Sequence, residues 1–228
     1  MTKKFEDLIQ RKDNLFYFKN ERVPFTGEVK EICGDGYLWT KGNFRGGKKH
    51  GLWEHYTSVW GRRFSLTLRV KENFKDGKRH GLQEYYFSDG VLQEKGNYKD
   101  GKKHGLFEKY DYYPHELQEK RNYKDGKKHG LFEEYFDDGQ LKVKENYKDG
   151  KLHGLWEKYW DVDYHLRAKT NRKRIELHGF QEVYYPRQLR SKGNYKDGKK
   201  HGLWEYYFED GQLWWKKNYK DGELHRYE

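Results

Sequence analysis

Residues 97–106 read Asn-Tyr-Lys-Asp-Gly-Lys-Lys-His-Gly-Leu, and the whole chain of 228 residues is organised around this pattern. Close copies cover residues 73–82, 122–131, 146–155 and 194–203. Weaker copies begin at Asn43, Asn171 and Asn218. The copies recur roughly every 24 residues, with one longer interval. This period indicates a repeat protein, in which a single dedicated site is not expected.

Each repeat contains two turn signals. The first is the Asp-Gly of Lys-Asp-Gly-Lys, and the second is a later Asp-Gly, found at Asp89-Gly90, Asp138-Gly139 and Asp210-Gly211. Asp-Gly between alternating apolar residues favours a tight β-hairpin, because tight hairpin turns need positive φ angles. Two turns leave two strands per repeat. The sequence therefore predicts an all-β fold, an elongated and twisted antiparallel β-meander or solenoid of about eight two-stranded repeats.

The chain divides into a capping segment, residues 1–14, and a single repeat array, residues 15–228. The array is irregular around residues 57–71, which are lengthened, and around 161–178, where the Asp-Gly turn is lost. The capping segment is predicted to form a short helix over Thr2–Arg11, with Thr2 as N-cap and apolar residues at helical spacing. Such a helix would cover the exposed edge of the first repeat.

The strand after each His-Gly shows aligned columns with a period of two. A Leu column is followed two residues later by Glu and two residues after that by Tyr, so all three share one face. The Leu column consists of Leu52, Leu82, Leu106, Leu131, Leu155, Phe180 and Leu203. The opposite face carries Trp53, Phe107, Phe132, Trp156 and Trp204. We expect both faces to be covered by rings and by Lys and Glu stems in place of a second layer.

The repeat units resemble known repeats. Gly105-Leu106-Phe107-Glu108 and the longer stretch Asn194–Tyr207 are similar to MORN-type repeats, specifically the bacterial variant found in the YwqK family of antitoxin-like proteins. The resemblance covers about residues 15–228 through its Tyr-Lys-Asp-Gly-Lys-x-His-Gly-Leu-Trp core. It implies a β-hairpin array that serves as a binding scaffold without enzyme activity or cofactor. MORN arrays are connected with phospholipids and with protein partners.

Composition restricts the possible settings. Cys33 is the only cysteine, so no internal disulfide can form. The charged N-terminus excludes a secretory h-region, and no apolar run is long enough to cross a bilayer. We therefore expect a cytoplasmic protein. The formal charge of +11 permits an acidic partner, which could be nucleic acid, a lipid surface or a protein.

Two regular columns could be mistaken for reactive sites. The aligned histidines are His50, His80, His104, His129, His153, His178, His201 and His225. Equivalent residues of successive repeats lie on the order of 9–10 Å apart, too far to share a zinc ion. We predict that these histidines stabilise turns and that the Glu column meets Lys or Tyr on neighbouring strands. No nucleophile motif or phosphate loop is present, so we predict no catalytic residues, no metal site and no enzyme.

The turn segments carry the excess positive charge. In a meander these turns project along one edge, which predicts a basic border opposite a mildly acidic one. The candidate basic edge consists of Lys48, Lys49, Lys78, Arg79, Lys102, Lys103, Lys127, Lys128, Lys199 and Lys200. Such an edge could steer an acidic partner, or it could serve only solubility and protection against sheet stacking.

Irregular segments are the candidate places for specific recognition, because the regular repeats differ little. Trp, Tyr and Arg in these segments are the residue types that dominate interface energies. The candidates are Trp60, Arg62, Arg63, Tyr112, Tyr113, His115, Arg172, Lys173, Arg174, Trp214 and Trp215. Repeats that have simply drifted are the alternative interpretation.

The functional prediction is a non-catalytic β-repeat scaffold that binds a protein partner in an antitoxin- or inhibitor-like role, with a toxin or nuclease as a candidate partner. The first alternative is binding of a polyanion through the basic edge, either RNA, DNA or a ribonucleoprotein such as a defence nuclease complex. The second is association with anionic lipid. Homo-oligomer formation stays open.

Overall fold

A computed structural model describes residues 3–33, 36–59, 65–159, 166–173, 176–184 and 188–225. The chain divides into two compact units, Met1–His115 and Glu116–Glu228. In both units the described residues are mostly β-strands joined by short turns. The candidates Trp60, Arg62, Arg63 and Arg174 lie outside the described residues.

The first unit begins with short elements and continues as a meander. The short elements are β1 (Lys3–Lys4), a one-turn 3-10 helix (Phe5–Asp7), β2 (Leu8–Gln10) and β3 (Phe16–Phe18). The meander comprises β4 (Gly27–Ile32), β5 (Leu38–Arg45), β6 (Lys48–Val59), β7 (Ser65–Lys75), β8 (Lys78–Tyr86), β9 (Leu92–Lys99) and β10 (Lys102–Tyr110). From β4 to β10 each strand pairs antiparallel with the next.

The second unit has the same arrangement. Its strands are β11 (Leu117–Lys124), β12 (Lys127–Tyr135), β13 (Leu141–Lys148), β14 (Lys151–Tyr159), β15 (Leu166–Lys173), β16 (Glu176–Tyr184), β17 (Leu189–Lys196), β18 (Lys199–Tyr207), β19 (Leu213–Lys220) and β20 (Glu223–Leu224). Each pairs antiparallel with the next. The predicted antiparallel meander is confirmed within each unit.

The Asp-Gly pairs of Lys-Asp-Gly-Lys form two-residue hairpin turns, whereas Asp89-Gly90 lies in a longer loop closed by the Phe87 N–H donating to the Val91 carbonyl, and Asp89 has no positive φ. Lys99 pairs with Lys102, so only Asp100 and Gly101 lie in the turn between β9 and β10. Their φ angles are 51° and 85°. Two successive positive φ angles are typical of a type I′ turn, whose twist matches that of the flanking strands. The predicted hairpins are therefore confirmed at this turn, and the equivalent aspartates also have positive φ, at Asp76, Asp125, Asp149, Asp197 and Asp221.

The His-Gly pair of each repeat lies at a β-bulge. The register between β9 and β10 shifts between Lys103 and Phe107, and Gly105 has a φ of 80°. Glycine adopts this conformation without the steric cost that a Cβ would add. The Asn that opens the repeat pattern stabilises the bulge, since the Asn73 amide donates a hydrogen bond to the Leu82 carbonyl at 2.6 Å. The bulge explains why Asn, His, Gly and Leu recur together.

The predicted N-terminal helix over Thr2–Arg11 is wrong. The described part of this segment contains β1, the single 3-10 turn and β2, and β2 pairs with β3 as a separate hairpin. A helix of about ten residues is marginal on its own. The pairing with Phe16–Phe18 satisfies the backbone of Leu8–Gln10 and lets both strands bury apolar side chains.

The N-terminal segment packs on the first strands of the meander. The buried side chains of Phe25, Val29, Phe44 and Trp53 form a core cluster, and Phe5, Leu8, Phe16, Phe18 and Phe74 pack against it. The Phe16 and Phe44 rings lie 4.9 Å apart. β1 also pairs in parallel with β4. The segment therefore covers the beginning of the array, although not as a helix.

Candidate partner-binding surface

On several strands the two sides of the sheet differ strongly in exposure. Within each unit we call the side that carries the ring column the ring face, with Trp53, Gln83 and Phe107 in the first unit and Phe132, Trp156 and Trp204 in the second. The side that carries the Leu column is the leucine face of that unit. Trp53, Phe107 and Trp204 are 0%, 3% and 2% exposed, whereas Leu52, Leu82 and Leu106 are 43%, 40% and 41% exposed. On β12 and β14 the contrast is absent, because Leu131, Phe132, Leu155 and Trp156 are all half-buried. The expectation that both faces are covered therefore does not hold for Leu52, Leu82 and Leu106.

Glycines on the ring face explain the burial of the rings. A Cβ added at Gly42 would lie 2.2 Å from the Trp53 ring, and one added at Gly193 would lie 2.3 Å from the Trp204 ring. Each ring therefore lies flat against the backbone of the neighbouring strand, a position that only glycine leaves open. The Trp204 indole also donates a hydrogen bond to the Asn194 carbonyl at 3.0 Å.

Gln83 takes the place of a ring in the repeat formed by β7 and β8. Its side chain is fully buried, and its amide donates to the Asn73 carbonyl at 3.0 Å, in the same way as the Trp204 indole donates to Asn194. Its cross-strand partner is Glu72, which forms an ion pair with Arg79 at 2.5 Å. A polar pair therefore replaces the ring and glycine pair here, with the Gln83 amide N–H and the Glu72 carboxylate engaged, while the buried Gln83 Oε1 atom has no hydrogen-bond partner.

The ten candidate basic-edge residues separate into two groups. The candidates occur as two neighbouring residues in each turn, such as Lys102 and Lys103. The second of the two is half-buried, and in most repeats it lies over the ring four residues later in the same strand. The distances from Nζ to the ring centre are 4.1 Å for Lys49 and Trp53, 4.5 Å for Lys103 and Phe107, 4.0 Å for Lys128 and Phe132, and 4.3 Å for Lys200 and Trp204. Burial lowers the pKa of Lys49 and of Lys128. These cations stabilise the ring face.

The first of the two neighbouring cations is exposed and lies on the leucine face. Lys48, Lys78, Lys102, Lys127 and Lys199 are all exposed. Because Lys103 lies on the ring face, its neighbour Lys102 lies on the leucine face. Lys102 is directly opposite Lys99 across the Asp-Gly turn, so Lys99 shares that face. Like charges directly opposite each other are destabilising.

Similar cation pairs occur at other turns. We use the name cation pairs for the exposed residues Arg45 and Lys48, Lys75 and Lys78, Lys99 and Lys102, Lys124 and Lys127, Lys148 and Lys151, and Lys196 and Lys199. Their first members and Lys151 were not among the predicted site residues, although a cation on each side of a two-residue turn is a sufficient signal. In the first unit the cation pairs form a charged row beside the exposed Leu52, Leu82 and Leu106.

Each turn is held by the repeat before it. The His80 Nδ1 atom accepts a hydrogen bond from the Asp100 backbone N–H at 3.5 Å. The same contact joins His129 to Asp149 and His178 to Asp197, at 3.4 Å in both. The Gly101 N–H donates to the Arg79 carbonyl at 2.8 Å. The predicted turn-stabilising role of histidine is confirmed for these three residues, and the hydrogen bonds fix the position of the cation pairs.

The Glu column of the leucine face pairs with lysines of neighbouring strands. Glu54 forms an ion pair with Lys41 at 2.5 Å, and Glu108 forms one with Lys95 at 2.8 Å. Hydrogen bonds from Lys216, Lys192 and Tyr207 lower the pKa of Glu205 to about 2. The prediction that Glu meets Lys or Tyr is confirmed for these residues. This row is internally neutralised and leaves the cation pairs as the excess charge of the face.

The candidate residues of the loop after β10 form an exposed aromatic cluster. Tyr112 and Tyr113 are 56% and 85% exposed. The Tyr112 ring lies 5.1 Å from Phe87 and 6.1 Å from His115. The structure therefore brings Tyr112 and His115 together with Phe87, which sequence reasoning did not include. The signal for Phe87 is its position directly before the Ser-Asp-Gly turn.

The remaining described candidates do not form one surface. Trp214 and Trp215 are adjacent on β19 and 59% and 47% exposed, so they point to opposite faces of the sheet. Arg172 and Lys173 lie at the end of β15, where Arg172 pairs with Leu177 in the backbone register.

An open polar groove of about 370 Å³ lies on the ring face of the second unit. Its lining consists of Glu119, Arg121, Lys128, Phe132, Glu134, Val143, Glu145, Trp156 and Lys158. Glu145 accepts hydrogen bonds from the Tyr147 hydroxyl at 2.6 Å and from the Trp156 indole at 3.1 Å. Arg121 pairs with Glu119, and Lys142 pairs with Glu134 at 2.6 Å. The carboxylates of the groove are thus engaged within the protein.

Neither a metal-binding cluster nor a membrane-spanning helix is found among the described residues. Among the described residues, no group of three or more His, Cys, Asp and Glu side chains is arranged to hold a metal ion. The described part of the chain also contains no helix with the length and apolar character that a membrane span requires.

Comparison with protein families finds three matches to a MORN repeat variant, at residues 79–100, 128–149 and 200–224. Each matched stretch begins at the half-buried cation before a His and continues to the next Asp-Gly turn. The matches support a MORN-type repeat protein. A search of curated proteins finds no match.

Proposed function

We propose that this chain is a non-catalytic scaffold that binds a protein partner on its leucine face. The observation that carries the proposal is the row of exposed Leu52, Leu82 and Leu106 beside exposed cation pairs, on one face of the hydrogen-bonded sheet of the first unit. Apolar side chains arranged in a row with charged neighbours are typical of interaction surfaces. The cation pairs keep like charges opposite each other, which costs stability and so favours a role outside folding.

An antitoxin- or inhibitor-like role is part of this proposal. It rests on the resemblance of the repeats to the YwqK family, together with the absence of a nucleophile motif from the sequence. In this role the scaffold neutralises its partner by covering the partner's surface. The partner is then a toxin or nuclease with an apolar, acidic patch that complements the leucines and the cation pairs.

Affinity capture with matched variants tests the scaffold proposal. The baits are the wild-type chain, the Leu82→Gln/Leu106→Gln variant, and Val23→Gln, which removes an apolar side chain that is 72% exposed and lies outside the Leu column. We expect one protein to be recovered by wild type and Val23→Gln at moderate salt, and to be reduced about tenfold with the double variant. Failure to recover any protein, or equal recovery by all three baits, contradicts the proposal.

Binding of a polyanion is the second candidate function, and the cation pairs favour it. They would neutralise phosphates without needing the leucines. The exposed turn aspartates, which lie between the two members of five of the six cation pairs, oppose this candidate. A mobility-shift titration at two salt concentrations separates the two functions. Nucleic-acid binding should weaken steeply with salt and with Lys99→Gln/Lys102→Gln, and it should be unaffected by Leu82→Gln/Leu106→Gln.

Anionic lipid is the third candidate and would use the same cation pairs. Flotation with neutral and anionic vesicles tests it. Binding to anionic vesicles that the Lys99→Gln/Lys102→Gln variant abolishes would support lipid association, and equal flotation with both vesicle types would contradict it.

A further inference from the structure

The leucines of the first unit have a regular spacing along the sheet. Leu52, Leu82 and Leu106 lie on β6, β8 and β10, which alternate with the intervening strands of the meander. Neighbouring strands are about 4.7–4.9 Å apart, so successive leucines are about 9.5 Å apart across the strands. An α-helix rises about 1.5 Å per residue, so seven residues cover about 10.5 Å. One heptad of a helix laid across the strands therefore matches one repeat of the sheet.

We propose that this row of leucines in the first unit binds an amphipathic α-helix of the partner, with an acidic flank turned toward the cation pairs. The inference rests on the proposed scaffold function and names the chemistry of its partner. The helix lies across the strands with its apolar side chains on the leucines. Between successive leucines it meets Asn73 and Asn97, which are the cross-strand partners of Leu52 and Leu82. Its contacts are therefore those of a narrow apolar seam with one polar residue in each interval.

The charge of the flanking rows sets the orientation of the helix. On one side of the leucines, each turn contributes two exposed cations, and the turns at Asp76 and Asp100 add one aspartate each. On the other side, the Glu column is neutralised by lysines, for example Glu108 by Lys95 at 2.8 Å. Attraction for carboxylates is therefore one-sided. A helix with Glu or Asp along one flank satisfies this asymmetry, and a helix with Lys or Arg there is repelled.

The width of the row favours a helix over an extended segment. Four residues separate Lys102 from Leu106, which corresponds to about 10–13 Å along a bulged strand. A helix with its side chains is about 10–12 Å across, so side chains from one helix reach both rows. A β-strand would direct alternate side chains away from the sheet. A polyproline helix has a suitable rise of about 9.3 Å per turn, but it is narrower than an α-helix. The grooves that bind polyproline helices are normally lined by aromatic rings.

A lipid surface fits these rows less well. The leucine side chains are less than half exposed, so they do not project as an apolar wedge. The carboxylates of Asp76 and Asp100 are 65% and 67% exposed on the same border and would repel anionic headgroups. Stable interfacial binding needs an apolar face buried about 5–10 Å into the bilayer.

Synthetic peptides test the inference on the full chain. The first peptide is an amphipathic helix of about three heptads with a Leu seam and a Glu flank. The second replaces the Glu flank by Lys, and the third scrambles the first while keeping its composition. We expect the acidic amphipathic peptide to bind at least about tenfold more tightly than the other two in fluorescence anisotropy. We also expect its helical circular dichroism to increase on binding.

Variants locate the binding row. Leu82→Gln/Leu106→Gln should weaken binding of the acidic peptide at least about tenfold, and Lys78→Gln/Lys102→Gln should weaken it and reduce its dependence on salt. Val23→Gln should bind like wild type. Equal binding of the scrambled peptide, binding that ignores the leucine variant, or binding without gain of helix overturns the inference. If a leucine-dependent partner is captured while the helical peptides fail, the helix is excluded and the scaffold proposal stands.

Discussion

The ring face and the leucine face are built from alternate residues of the same strands, yet they have different tasks. On the ring face, Trp204 lies on Gly193, its indole is hydrogen-bonded and Lys200 covers it. On the leucine face, the preceding residue of the same strand, Leu203, is 51% exposed. Two adjacent residues of one strand, Leu203 and Trp204, are thus exposed and buried, respectively. The Trp204 ring is therefore buried by residues of its own and the neighbouring strand.

The difference between the faces also divides the basic residues of the turns into two groups. Adjacent lysines such as Lys102 and Lys103 look equivalent in the sequence, but one is exposed beside its like-charged partner and the other lies over Phe107. The half-buried member contributes to the fold, and the exposed member keeps its charge in solvent. Only about half of the candidate basic edge is thus exposed.

Removal of a ring should have the largest effect. Trp204→Ala removes a buried ring, its hydrogen bond to Asn194 and its contact with Lys200, and we expect a loss of about 3–5 kcal/mol in the free energy of unfolding. Trp214→Ala is the matched control, because Trp214 is 59% exposed and its loss should cost less than about 1 kcal/mol. Urea denaturation measures both. Equal losses in the two variants would contradict the difference between the faces.

Protonation of the Glu column should have a smaller effect. The pKa of Glu205 is lowered from 4.5 to about 2 in the folded chain. A depressed pKa stabilises the fold at pH values above the unfolded value, and this stability is lost as the pH falls from about 4.5 toward 2. The partners are partly exposed, so we expect less than about 1 kcal/mol.

A matched pair of variants isolates this contribution. Glu205→Gln should flatten the loss of stability between pH 4.5 and about 2, whereas Glu209→Gln, at an exposed position, should retain the wild-type profile. Thermal denaturation across this pH range measures both. A wild-type profile in Glu205→Gln would show that the ion pairs of the leucine face do not stabilise the sheet.

Much of the fold follows from local sequence. The Asp-Gly turns predict the hairpins because their positive φ angles are a property of two adjacent residues. The face that is buried could not be predicted in this way. Both faces carry apolar side chains at a period of two, and the choice depends on Gly42, Gly96 and Gly193, which lie on the strand beside each buried ring. Packing between neighbouring strands determines which face is buried, and the residue pattern of a single strand does not contain this information.

The N-terminal segment shows the same limit. Phe5, Leu8 and Ile9 have helical spacing, but the same residues also fit a strand that pairs with Phe16–Phe18. The candidate surface was predicted only in part for a similar reason. The cations were identified from the turn sequences, but their division into half-buried and exposed members depends on rings four residues away. The leucines were expected to be covered by rings and by Lys and Glu stems.

Hydroxyl-radical footprinting read by mass spectrometry tests the difference between the faces most directly. Modification of Leu82 and Leu106 is compared with that of Trp53, Phe107 and Trp204, and each rate is normalised to the rate in the unfolded chain. We predict that the two leucines retain a substantial fraction of their unfolded reactivity and that the three rings are almost fully protected. Equal protection of leucines and rings, or reactive rings beside protected leucines, would contradict the account.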